Sequence, residues 1–253
     1  RDLVRSRGLG DVYKRQTKYT PSIGTLSLRE AVCAKLSQEN GLDYAPSQII
    51  VSCGAKHSLY NIFQAICEKG DEVIIPAPYW VSYPEMVKLA DAEAVFVKTK
   101  QREGFKLNLK DLENAVTKKT KALILNSPQN PTGCVYLKSE LEELADVILK
   151  HKITVVSDEV YEKLIYTGKE HVSIASLSPE IKDLTIVVNG VSKTYSMTGW
   201  RIGYAAFADK ELAGGIKKLQ DHSTSNPSSI SQAAALAALT EPVSYTHLTL
   251  PTK

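Results

Sequence analysis

From Thr17 onward, the apolar positions of this chain alternate between two periods. In "SLREAVCAKLSQENG", Leu28, Ala31, Val32 and Leu36 recur at helical spacing, Ser27 and Glu30 read as a capping box, and Gly41 supplies the stop. "QIIVSCG" is a short apolar run suited to a buried strand, and Gly54 turns it straight into the helix "AKHSLYNIFQAICEKG". The alternation continues through the strand "DEVIIP", the helix "SYPEMVKLA", the strand "EAVFVK" and the helix "LKDLENAV". It then runs through the strand "KALILN", the helix "KSELEELADVILKHK" and the strands "ITVVSDE" and "TIVVNG". Short apolar strands separated by longer helices predict βαβ units. The expected fold is α/β, a three-layer sandwich around a mainly parallel central sheet.

Neither end shares this order. Residues 1–16, beginning at Arg1, and residues 242–253 carry no sustained period, and both are expected to be non-native additions. The folded unit is expected over 17–241.

Composition narrows the function classes. The chain is 43% hydrophobic and 23% charged, and its net charge of +3 is too small to call for nucleic acid or an anionic membrane. No apolar run approaches the ~20 residues that cross a bilayer. Cys33, Cys53, Cys67 and Cys134 lack C-x-x-C spacing and lie beside apolar residues. Buried free thiols in a reducing cytoplasm are therefore expected ahead of zinc or disulfides. The five histidines are scattered, and no metal site is expected. Within 17–241 there is no G-x-G-x-x-G and no G-x-x-x-x-G-K-[ST], which disfavours nicotinamide and nucleoside-triphosphate sites.

In sheets of this kind, ligands bind beyond the carboxyl ends of the strands. The segments there are Gly54-Ala55-Lys56, Pro78-Tyr79-Trp80, "NSPQNPTG" from Asn126 to Gly133, "DEVY" from Asp158 to Tyr161, and Ser192-Lys193. Gly54 before a helix start would aim the N–H groups of Ala55 and Lys56 at an anion, although a βα turn also takes glycine for steric reasons alone. A partly desolvated lysine such as Lys193 can form a Schiff base. Asp158 can keep a pyridinium nitrogen protonated, and Arg201 can grip a phosphate with its planar fork. Asn130 and Tyr161 can donate to a phenolic oxygen, and Trp80 can stack on a ring. Singly, Asp158 can equally cap a turn, Trp80 can be core, Asn130 can serve an Asn-Pro turn and Lys193 can be a solvated charge. Together they meet the demands of pyridoxal 5′-phosphate.

These segments resemble the class I, fold-type I aminotransferases. "SPQNPTG" is similar to that family's asparagine loop, "SDEVYEKL" to its aspartate–tyrosine segment and "SKTYSMTGWRIGY" to its lysine–arginine segment. The order matches, with 28 residues from Asn130 to Asp158, 35 more to Lys193 and eight more to Arg201. The resemblance runs from about Thr17 to Glu241.

It implies that Lys193 carries pyridoxal phosphate and shuttles a proton between substrate and cofactor. Asp158 would pair with the pyridine nitrogen, Asn130 and Tyr161 would bind the phenolic oxygen, and Trp80 would stack on the ring. Ser192, Arg201 and the Gly54–Lys56 turn would hold the phosphate. A homodimer is implied, in which Tyr19 of "KYTPSIG" reaches the partner subunit's phosphate. "GAKHSLYNIFQAI" and "PYWVSYPEM" resemble the bacterial aspartate aminotransferase subgroup. That implies aspartate as amino donor and 2-oxoglutarate as the 2-oxo acid, with Lys56 on the distal carboxylate and Trp80 and Asn130 also at the substrate. Prephenate and aromatic amino acids are alternatives within the subgroup. A pyridoxal-phosphate β-lyase and a non-catalytic regulatory domain are alternatives on the same scaffold. The family's small domain, with its arginine for the substrate α-carboxylate, is expected to follow Glu241 and is not in this sequence. The chain as it stands is expected to turn over little.

Overall fold

Each expected apolar run is a strand in the computed structural model, which describes residues 18–241; the expected leader, Thr17 and the expected tail lie outside the described residues. The strands are β1 (Ile49–Ser52), β2 (Glu72–Ala77), β3 (Glu93–Lys98), β4 (Thr120–Asn126), β5 (Thr154–Asp158), β6 (Thr185–Gly190) and β7 (Gly203–Phe207). They form one seven-stranded sheet in the order β1-β7-β6-β5-β4-β2-β3. The helices are α1 (Leu26–Asn40), α2 (Ala55–Ile66), α3 (Ser82–Leu89), α4 (Leu109–Ala115), α5 (Lys138–His151) and α6 (Pro179–Asp183). A short α7 (Val191–Thr194), α8 (Lys210–Ser223) and α9 (Ser229–Thr240) complete the set. The α/β reading holds. Among the described residues, no helix is long and apolar enough to cross a membrane.

Alternation along each strand separates two hydrophobic layers. On β4, Ala122 and Ile124 pack with Leu59, Ile62 and Phe63 of α2 and Ile216 of α8. Leu123 and Leu125 point the other way, toward Leu141, Leu144 and Ile148 of α5. β1 and β7 add a third cluster, in which Ile49, Val51, Tyr204 and Ala206 meet Leu28, Val32 and Leu36 of α1. Burying each of the Leu, Ile, Val and Phe side chains among these stabilises the fold by roughly 1.5–3 kcal/mol.

The start of α1 corrects the expected cap. Thr25, not Ser27, is the N-cap, its hydroxyl accepting the Leu28 N–H at 3.4 Å, and Ser27 lies inside the helix. The Thr25 N–H is itself held by Gln232 at 2.8 Å, so a contact from the far end of the chain places the helix start. Gly41 ends α1 in the left-handed conformation at φ 65°, as expected. The cysteines are all free, but only Cys134 is fully buried, the other three being half-buried.

One strand decides what gathers at the functional edge. β7 runs antiparallel to both β1 and β6, whereas the other pairings are parallel. Its first residue, Gly203, therefore pairs with Ser52 and Gly190, the last residues of β1 and β6. The carboxyl ends of the parallel strands and the segment entering β7 share one edge. Arg201 arrives there because its strand is inverted.

Candidate active site

At that edge lies a cavity of about 380 Å³, within the range of small-molecule sites. Ala55, Lys56, Trp80, Asn130, Asp158, Tyr161, Ser192, Lys193 and Arg201 all line it. Ten of the eleven expected site residues are accounted for by this cavity and its wall, where Gly54 stands behind Arg201. Tyr19 is elsewhere. It is 89% exposed and lies over a separate hollow with Thr20, Ser22, Asp221, Ser225 and Asn226.

The anion end is built from α2 and Arg201. Gly54 caps α2 at φ 91°, a conformation that L side chains rarely adopt. A Cβ at Gly54 would sit 2.5 Å from Arg201 Nη2, so the missing side chain makes room for the guanidinium. Gly203 brings β7 against the same helix start, since a Cβ there would overlap the backbone nitrogen of Ala55. The first N–H groups of α2 have no acceptor within the helix, and the helix dipole adds partial positive charge. Arg201 Nη1 donates to the Thr198 carbonyl at 3.0 Å, which fixes the fork. Among the described residues, neither Arg201 nor Lys193 has a carboxylate within ion-pair distance.

Asp158 supplies a carboxylate to the same cavity. It is buried, and desolvation raises its carboxyl to about 6, against the lowering effect of two hydrogen bonds. Oδ2 accepts from Tyr83 Oη at 2.7 Å, and Oδ1 accepts from the Val160 N–H at 3.3 Å. Burial and the neighbouring carboxylate push the Tyr83 hydroxyl far above its ordinary value, so it stays a donor. Asn126, paired with Asp158 in the sheet, donates to the Asp158 carbonyl at 2.8 Å and accepts the Asn130 N–H at 2.8 Å. Asn130 Nδ2 then donates to Tyr161 Oη at 3.3 Å.

The amine of Lys193 lies 5.4 Å from the Tyr161 ring centre, on the short helix that follows β6. Across the cavity, Lys56 Nζ stands 4.8 Å from the centre of the Trp80 ring, which meets Tyr83 edge-on at 5.3 Å. The arrangement suits a flat ligand with an anionic group at one end and a basic ring nitrogen at the other.

Behind the Asp158–Tyr161 turn, a buried polar cluster faces the other way. Glu159 accepts from Ser157 at 2.8 Å, Ser173 at 2.6 Å and His171 at 2.9 Å. Burial alone would raise its carboxyl, but His171 and the two hydroxyls outweigh it and hold the group below its ordinary value. Glu162 pairs with Lys35 and accepts from Asn40 at 2.9 Å. Glu159, Glu162 and His171 have ligand atoms within 4.8 Å of one another, a grouping that the scattered sequence positions hide. Lys35 and the hydroxyls already satisfy its carboxylates.

Sequence reasoning gave no role to Tyr83, Asn126, Leu59, Val160 and Thr198, which also line the cavity. Asn126 carried a usable signal, because it ends a strand at the functional edge. Tyr83 carried none, since an aromatic residue inside a helix reads as core.

The chain as a whole is similar to known proteins. The model of the family described as aminotransferase class I and II matches residues 13–248. The chain is 54% identical over 226 residues to the aspartate aminotransferase of Geobacillus stearothermophilus, covering 89% of this chain and 57% of that protein. It is 50% identical to the probable aspartate/prephenate aminotransferase of Rickettsia bellii, covering 94% of this chain and 60% of that protein. The crystal structure of the aspartate aminotransferase from Rhizobium meliloti superposes with a TM-score of 0.89 at 41% identity, over 96% of this chain and 60% of that one. The chain thus spans less than two thirds of the length of these relatives. With the family match running over nearly its full length, the chain belongs to the aminotransferase class I and II family.

Proposed function

We propose that the protein is a pyridoxal-phosphate-dependent transaminase, and that residues 17–241 are its large cofactor-binding domain. One observation carries this reading: a single cavity is lined by a buried carboxylate and by an arginine and a helix start, and among the described residues Asp158 has no cation and Arg201 no carboxylate within ion-pair distance. The buried carboxylate is costly alone. Pyridoxal phosphate, with a basic ring nitrogen and a phosphate, satisfies both carboxylate and arginine, and Trp80 offers a flat wall for its ring. The residues fit the cofactor.

In this reading, Asp158 holds the ring nitrogen protonated, and Asn130 with Tyr161 donates to the phenolic oxygen. Ser192, Arg201 and the Gly54–Lys56 turn hold the phosphate. Lys193 would hold the cofactor through its amine and, once that amine is freed by the substrate, would move the proton at the substrate's Cα. When bound, the cofactor supplies an electron-accepting ring that stabilises negative charge on that carbon. Tyr19, turned away from its own cavity, reaches the partner's phosphate in a homodimer.

Aspartate is the amino donor and 2-oxoglutarate the acceptor, with Lys56 on the distal carboxylate. The names of the relatives support aspartate. The Rickettsia name makes prephenate a second acceptor to assay. The free thiols suit a reducing cytoplasm.

The test is an absorption spectrum of the chain titrated with pyridoxal phosphate. A new near-visible band, abolished in Lys193→Ala with folding intact, is expected. A flat wild-type spectrum from folded protein overturns the cofactor reading.

A further inference from the structure

Two glutamines on the last two helices are almost completely enclosed, Gln220 at 0% and Gln232 at 1% exposure. Both direct their amides at one short stretch, Thr20–Thr25, some two hundred residues away in sequence. Gln232 Oε1 accepts the Thr25 N–H at 2.8 Å, and its Nε2 donates to Thr20 Oγ1 at 2.9 Å and to the Pro227 carbonyl at 2.8 Å. Gln220 Nε2 donates to the Ser22 carbonyl and, at 2.8 Å, to the Val51 carbonyl. Its Oε1 accepts from Ser52 at 3.0 Å and from Asn61 at 3.2 Å. The Ile23 carbonyl accepts the Val51 N–H at 3.0 Å. Gly24 then packs so close to Val51 that a Cβ would lie 2.7 Å from that side chain.

A six-residue segment outside any helix or strand is therefore pinned at four of its residues. The residue immediately before it, Tyr19, is 89% exposed. Burying two amides costs stability unless every polar atom is paired, and here each is. Such a clamp would be superfluous for a loose segment. It is suited to holding one exposed side chain at a fixed height above the surface.

We infer that Gln220 and Gln232 are positioning residues that set where Tyr19 is presented, and so govern phosphate affinity at the partner's site. This rests on the cofactor reading above. Gln232 grips both ends of the segment, and Gln220 ties its middle to β1 and α2, the elements that carry the phosphate turn. The clamp thereby couples the geometry of Tyr19 to that of Gly54 and Ala55.

The experiment compares dissociation constants for pyridoxal phosphate and for pyridoxal, which lacks the phosphate. It uses wild type, Tyr19→Phe, Gln232→Met, Thr20→Val and the double variant Tyr19→Phe/Gln232→Met. Thr20→Val removes only the segment's side of one clamp bond, so it keeps the test open if Gln232→Met folds poorly. Tyr19→Phe is expected to weaken pyridoxal phosphate about tenfold and to leave pyridoxal within about twofold, the loss of one bond to a charged group. Gln232→Met and Thr20→Val should reproduce that phosphate-specific loss, and the double variant should be no worse than the worse single one. Equal weakening of both ligands by the clamp variants, or effects that multiply in the double variant, overturns the inference and leaves the cofactor reading standing. Wild type that binds neither ligand overturns the cofactor reading and this inference with it.

Discussion

Tyr83 Oη donates to Asp158 Oδ2 at 2.7 Å across 75 positions of sequence, and both side chains are enclosed. The bond selects for ionised Asp158. Replacing Tyr83 by Phe should therefore destabilise the ligand-free protein more at pH 7.5 than at pH 4.5, by roughly 1–3 kcal/mol at the higher pH. Urea unfolding at the two pH values measures the difference; equal losses would place the tyrosine in the packing alone.

Asp158 sets a pH dependence of defined sign. Its folded value, about 6, lies above its ordinary one, so the folded state holds a proton where the unfolded state has lost it. Its contribution to stability is complete below about pH 4 and is lost as the pH rises through 6, on the order of 3 kcal/mol. Glu159, held below its ordinary value, acts in the opposite direction. The measurement is therefore the difference between wild type and Asp158→Asn in chemical denaturation from pH 4 to 7. Wild type should lose stability relative to the variant over that window.

The two glycines at the start of α2 and β7 should fail differently. At Gly203 an added methyl meets the backbone of Ala55, which cannot yield, so Gly203→Ala should cost more than about 3 kcal/mol and lower the melting temperature sharply. At Gly54 it meets the end of a flexible arginine, at a backbone angle costing about 1–3 kcal/mol. Gly54→Ala should fold, and it should bind pyridoxal phosphate less well because Arg201 is displaced.

Arg201→Gln removes the charge but keeps a planar donor. Pyridoxal phosphate affinity should fall at least about tenfold while pyridoxal binding is unchanged, as read by titration of the absorption band.

Lys35→Met should be the most damaging change away from the cavity. It strands Glu162, which is buried, without its cationic partner, at a cost of about 3–5 kcal/mol. Glu162→Gln combined with Lys35→Met should recover part of that loss in the same denaturation assay.

Much of this molecule could be read from its amino acids in order. The apolar periods marked the strands and helices because burial on a sheet face or a helix stripe is a local demand, met within a few residues. The strand ends then exposed Gly54, Asn130, Asp158 and Lys193 as a set, since a parallel sheet sends its carboxyl ends to one edge. Other features depended on contacts that no local pattern encodes. Thr25 rather than Ser27 caps α1 because Gln232 holds its N–H. Arg201 reaches the cavity beside the start of α2 because β7 is inverted between β1 and β6. Tyr83 reads as core until Asp158 is seen against it, and no local pattern marks Gln220 and Gln232, whose amides close on residues 20–25. Periodicity reports which face of an element is dry. Which polar group meets which is settled only when distant segments pack, because a buried hydrogen bond requires both partners to be in place.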